Sequence, residues 1–101
     1  MVCKIVQTSE FDRDLDHIVY YLIDVLGNRQ AAKALLDEID DCIDRLQKMP
    51  YMFPECDDIS LKAYRKITVR GYVVIYRVDE ANNTAYILRI FHGKQDYLKL
   101  L

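Results

Sequence analysis

The segment Phe91-His92-Gly93-Lys94-Gln95-Asp96-Tyr97 sets a histidine beside a glycine that lets the backbone turn sharply, with a cation, a carboxylate and a phenol close behind. An imidazole titrates near neutral pH, so His92 is equipped to act as a general acid or base. The same ring can instead donate to a carbonyl and pin the chain to its neighbour, and the residues alone leave both roles open. Upstream, Tyr64, Arg65, Lys66, Arg70, Tyr72, Tyr76, Arg77, Tyr86 and Arg89 interleave planar rings with cations, and Lys94 and Tyr97 continue the pattern. Cations hold phosphates and carboxylates while rings stack, so this region suits an anionic partner. Tyrosine is also favoured in any strand, and an arginine on an exposed sheet needs no ligand.

Metal chemistry is poorly served. Asp12, Asp14 and Asp16 imitate the start of a calcium loop, but His17 stands where the loop needs glycine and Ile23 where it needs a bidentate glutamate. The aspartates read instead as the solvated N-terminal end of a helix. Cys3, Cys42 and Cys56 are an odd number with no C-x-x-C pair, which fits neither a disulfide framework nor a zinc site. They are expected to be reduced thiols, with Cys42 in the core. His17 is expected to be a half-buried helix residue. No metal or other cofactor is implied.

The elements that must position these residues follow from apolar periodicity. Val2 to Val6 alternates around Lys4 and predicts an opening strand. Thr8 or Ser9 then offers an N-cap oxygen. Phe11, Leu15, Ile18, Val19, Leu22 and Leu26 recur at helical spacing up to a stop at Gly27 and Asn28. A second stripe, Ala32, Leu35, Ile39, Cys42, Ile43 and Leu46, runs to Pro50. Two helices joined by so short a turn must lie antiparallel. Met49 to Lys62, with Pro50 and Pro54, breaks the pattern as a loop.

Beyond that loop the period becomes two. Ala63 to Arg70, Tyr72 to Val78 and Thr84 to Phe91 predict three antiparallel strands in a meander, turned at Gly71 and at Glu80 to Asn83. Alternation places Lys66, Thr68 and Arg70 on one face, and Arg65 with Ile67 and Val69 on the other. Arg65 then lies near a strand end or is buried with a partner. Apolar helix stripes need a sheet to cover them, so the expected fold is α+β, a two-layer sandwich of N-terminal strand, helical hairpin and meander. The opening strand joins at an edge or beside the last strand.

At 101 residues one domain, 1–101, is expected, and it should bury roughly two-thirds of its unfolded surface. Half the residues are hydrophobic and 30% are charged, with no low-complexity run, which excludes a disordered or fibrous chain. No apolar run approaches a membrane span, and the first residues lack the pattern of a signal peptide, so a cytoplasmic protein is expected. The formal charge of −2 conceals a division. Residues 1 to 58 carry 6 basic and 13 acidic side chains, a net of −7, whereas residues 59 to 101 carry 8 basic and 3 acidic, a net of +5. Local patches set the field a partner feels, so the small total excludes no anionic partner.

The order of elements, the loop with Pro50 and Pro54, the Tyr64-Arg65-Lys66-Ile67 strand, the run Gly71-Tyr72-Val73-Val74-Ile75-Tyr76-Arg77-Val78-Asp79 and the ending Leu88 to Tyr97 together resemble the RelE/ParE superfamily of type II toxins. The resemblance spans the chain and is most specific in its last 40 or so residues. It implies a growth inhibitor held in check by a cognate antitoxin, whose C-terminal segment lies on the toxin while its N-terminal part binds operator DNA. DNA contact would thus be indirect. It further implies one of two targets: ParE-like members poison DNA gyrase, and RelE-like members cut mRNA in the ribosomal A site.

The RelE-like nucleases place an arginine where this chain has Val73 and another near Gln95. Metal-free phosphodiester cleavage needs such cations against developing charge, and their loss removes transition-state stabilisation. Together with the long hairpin, this favours a ParE-like toxin binding gyrase. The alternative nuclease would use His92, Arg65 and Lys94 on the ribosome and its mRNA. A non-toxic antitoxin-binding remnant is the third reading. For the antitoxin, the expected binding residues are Tyr64, Lys66, Arg70, Arg77, Arg89, Asp96 and Tyr97. The basic sheet and tail would receive a segment with acidic residues beside apolar anchors.

Overall fold

Thr8 joins the first two elements of the chain through one hydroxyl. Its oxygen accepts from the Phe11 N–H at 3.1 Å, capping helix α1 (Ser9–Tyr20), and its proton goes to the Leu88 carbonyl at 2.9 Å. Strand β1 (Lys4–Gln7) is thereby locked beside the last strand just before the helix leaves it. In the computed structural model, residues 2–56 and 63–93 are described. Helix α1 closes in a π turn, Tyr21–Val25, and Gly27, at φ 63°, supplies the left-handed residue that reverses the chain. Asn28 then accepts from the Ala31 N–H at 3.0 Å and starts α2 (Arg29–Lys48).

The other strands are β2 (Arg65–Val69), β3 (Tyr72–Asp79) and β4 (Thr84–His92). The sheet order is β1-β4-β3-β2, with β1 parallel to β4 and the remaining pairs antiparallel. The expected α+β sandwich and meander therefore hold, and the opening strand lies both at an edge and beside the last strand. Arg70 and Gly71, at φ 48° and 83°, form the two-residue β2–β3 turn, whose positive dihedrals match the strand twist. That turn takes Arg70 out of the strand alternation. It does not share a face with Lys66 and Thr68; its side chain turns to Glu38 on α2 at 3.2 Å.

Phe11, Leu35, Ile39 and Leu46 of the helices pack on Ile67, Val69, Val74, Tyr76, Ala85, Ile87 and Ile90 of the sheet to form the main core. A smaller cluster of Cys56, Val73, Ile75 and Phe91, with Tyr64 and Leu88 against it, lies on the opposite face. The central strand β3 is consequently apolar on both sides. Cys3 is buried against the main core, while Cys42, expected inside, is only partly buried; what burial it has pushes its thiol pKa up.

His17 and Leu26 depart from expectation, for both are exposed. His17 points away from the stripe made by its neighbour Ile18. Leu26 lies where the helix has outrun the sheet. Asp14 of α1 is already level with Ile90, two residues from the end of β4. From there α1 and its π turn continue to Leu26 for about 18 Å, whereas β4 has about 7 Å left. The hairpin tip overhangs the sheet, in keeping with a longest dimension of 43 Å.

Candidate functional site

At one end of the sheet the register brings Val69, Tyr72 and His92 into line. The His92 and Tyr72 rings meet edge to face, 5.6 Å apart at 78°. Just past His92, the Gly93 N–H donates to the Gly71 carbonyl at 2.7 Å, and a Cβ on Gly93 would lie 2.8 Å from that oxygen. Glycine is therefore required for the chain to leave the sheet here. His92 is exposed at this corner. Lys94, Asp96 and Tyr97, expected to join it, lie outside the described residues.

Arg65 sits at the other end. It pairs with Tyr76, four residues along β3 from Tyr72, which is roughly 13 Å along the strand. The structure does not bring Arg65 and His92 together. Arg65 shares the helix-facing side with Ile67 and Val69, as alternation requires, and is a strand-end residue with partners. Its guanidinium donates to the Phe53 carbonyl at 2.8 Å and the Tyr51 carbonyl at 3.5 Å, pairs with Glu55 at 3.3 Å, and lies over the Tyr51 ring at 5.1 Å. Tyr76 helps it: the buried phenol donates to the Pro50 carbonyl at 2.8 Å and its ring meets Phe53 edge on. Tyr51 in turn donates to Glu80 at 2.6 Å, which raises the Tyr51 pKa. Together they strap the segment after α2 to the sheet.

Two further arginines are held by the helices. Arg70 pairs with Glu38, and Arg89 forms a fork with Asp14, Nε at 2.7 Å and the second guanidinium nitrogen at 3.0 Å. The hydrogen bond to Asp14 raises the Arg89 pKa further. The basic sheet and the acidic hairpin thus neutralise one another across the layer boundary. Sequence reasoning missed Asp14, Glu38 and Glu55 as partners; the only signal was the opposite charge of the two halves.

Arg77 keeps an outward role. It lies over the Tyr86 ring at 4.5 Å, and the two are register partners on the face away from the helices. Lys66 and Tyr64 are on that face too, both partly buried, with Tyr64 against the small apolar cluster. A cation stacked on a ring and flanked by a lysine can receive a carboxylate and an apolar side chain. Val73, 9% exposed, fills that cluster beside Ile75 and Phe91. Among the described residues no three His, Cys, Asp or Glu side chains are grouped to hold a metal, and no helix is long and apolar enough to cross a membrane.

Residues 5–97 match the sequence model of a family described as the ParE toxin of type II toxin–antitoxin systems, parDE. No curated protein matches the chain in sequence. Among solved structures, the chromosomal ParDE system of P. aeruginosa is similar at a TM-score of 0.73 and 20% identity, over 92% of this chain and 98% of that one. The isolated RelE toxin of E. coli gives 0.65 at 8% identity, over 97% and 92%. A RelBE toxin–antitoxin complex from Mycobacterium tuberculosis gives 0.64 at 17% identity, over 91% and 99%. At these identities the likeness establishes a shared fold.

Proposed function

This chain belongs to the ParE toxin family of type II toxin–antitoxin systems, and from that premise we propose that it inhibits growth by binding DNA gyrase in the cytoplasm until a cognate antitoxin covers it. The observation that carries the choice of target is Val73. Where the superfamily's nucleases need a cation, this chain has a buried valine packed on Ile75 and Phe91. Arg65, the nearest replacement by sequence, is occupied with Phe53 and Glu55 at the far end of the sheet from His92. A metal-free nuclease needs base and cation around one phosphate, whereas inhibition by binding needs only a complementary surface.

The P. aeruginosa and M. tuberculosis relatives are toxin–antitoxin systems, which supports an antitoxin partner here. Its segment would carry acidic residues beside apolar anchors and lie across Arg77, Tyr86 and Lys66, the outward side of the basic sheet. The deciding experiment is gyrase supercoiling with purified toxin. Inhibition relieved by adding antitoxin is expected. Full supercoiling at excess toxin, with mRNA cleavage in a translating extract, would overturn the reading and return His92 to a catalytic role.

A further inference from the structure

The overhanging end of the hairpin exposes four large apolar side chains in one place: Tyr20 at 61%, Tyr21 at 50%, Val25 at 57% and Leu26 at 55%. Tyr21 and Val25 are one turn apart, and Leu26 follows at the cap. Half-exposed side chains of this size present on the order of 400 Å² of apolar surface, which is more than scattered exposed residues provide and in the range of functional patches. Two anchors locate the patch beyond the sheet: Asp14 at Ile90 on α1 and Glu38 at Arg70 on α2. From Glu38 back to Arg29, α2 runs about 14 Å further out. Among the described residues the sheet therefore does not reach the tip, and the apolar side chains there are exposed.

The charges around the patch differ from those of the rest of the hairpin. Asp24 in the π turn and Arg29 and Lys33 at the start of α2 are all exposed, so both signs are present at the tip. The acidic run Asp37, Glu38, Asp40, Asp41 and Asp44 begins only farther along α2. A rim of both signs is self-complementary under a two-fold axis, because the acid of one copy can meet the bases of the other. A partner of a single sign would meet repulsion as well as attraction. The small total charge of −2 opposes self-association little, while the acidic run keeps the bodies of two hairpins apart.

We propose that the hairpin tip is a self-association surface: two copies of this chain meet tip to tip, burying Tyr20, Tyr21, Val25 and Leu26, with Asp24 of each copy opposite Arg29 and Lys33 of the other. The apolar area is about half of what one partner buries in a standard interface, so the dimer is weak and reversible.

Sedimentation equilibrium and light scattering on the purified chain, from micromolar to several hundred micromolar, test this directly. A concentration-dependent monomer–dimer equilibrium is expected. Leu26→Lys and, separately, Tyr21→Glu should each weaken it at least tenfold while leaving the circular dichroism and Tm unchanged, since neither side chain is in the core. Asp24→Lys should also weaken it, and combining Asp24→Lys with Arg29→Asp and Lys33→Glu in one chain should restore it. A monomer at every concentration, a dimer indifferent to Leu26→Lys and Tyr21→Glu, or a charge swap that fails to rescue would each overturn the proposal. None of these outcomes depends on the target of the toxin.

Discussion

The Asp14 carboxylate holds Arg89 through two hydrogen bonds, at 2.7 and 3.0 Å, and accepts the Ile90 N–H at 3.2 Å with the same oxygen that takes Arg89 Nε. Strand β1 ends at Gln7, opposite Ile87, so among the described residues no strand pairs with that edge of β4 from Leu88 onward. A helix side chain covers that edge where no strand does, and Thr8 does the same for the Leu88 carbonyl. Unpaired strand edges invite pairing with other chains, and these two contacts blunt this one.

Replacing Asp14 by alanine should accordingly destabilise the fold by about 2 kcal/mol, because it removes two hydrogen bonds from a partly buried guanidinium and leaves a backbone N–H without its acceptor. Adding Arg89→Leu should recover part of the loss. Urea unfolding of both single variants and the double variant gives the coupling; a coupling near zero would mean that Asp14 acts through Ile90 alone.

Arg65 serves the strap rather than a reaction. Arg65→Ala should free the segment around Tyr51, seen as chymotrypsin cleavage after Tyr51 at least tenfold faster than in the parent chain. Arg65→Lys should not restore resistance, since an ammonium cannot reach two carbonyls and a carboxylate as a planar fork does. Equal cleavage rates in parent and Arg65→Ala would remove Arg65 from that role.

Tyr76 makes alkaline stability specific. Burial favours the neutral phenol, so its pKa is raised from 10.0 to about 12. Stability from this group is complete below pH 10 and is lost as pH rises through about 12, a decline of up to about 2 kcal/mol. Tyr76→Phe should lose about 1 kcal/mol at neutral pH with the bond to Pro50, and its stability should fall less steeply above pH 10. Parallel curves for the two proteins between pH 9 and 11.5 would contradict this.

On the outward face, Lys66→Glu with Arg77→Glu should slow antitoxin association several-fold and flatten its dependence on salt, with a smaller effect on dissociation. Stopped-flow mixing at two or more ionic strengths is the measurement. Arg70→Glu alone should act mainly through Glu38, as a stability change. An association rate unmoved by the double reversal would place the antitoxin elsewhere.

Much of the architecture was legible because it depends on local signals. Thr8, Gly27, Asn28, Pro50 and Gly71 mark ends and turns through backbone geometry that acts over a few residues, and the shift of apolar period from helical to alternating separates hairpin from meander. The candidate site was less legible. Arg70, Arg77 and Arg89 look alike in a basic run, yet Arg70 and Arg89 are held by helix carboxylates 32 and 75 positions away in sequence while Arg77 lies on the Tyr86 ring. Leu26 obeys the helical period but not the core, since periodicity tells which side of a helix is apolar and not where the covering sheet ends.

The amino-acid order by itself determined the elements, their sequence along the chain, the opposite charge of the two halves and the family they resemble, because each rests on short-range geometry or on simple composition. Only the tertiary structure decided which cations remain outward, that Arg65 and His92 lie at opposite ends of the sheet, that Val73 is buried in a second apolar cluster and that the hairpin tip stands clear of the sheet. These are consequences of strand register and helix length relative to strand length, and such quantities exist only once distant segments have packed.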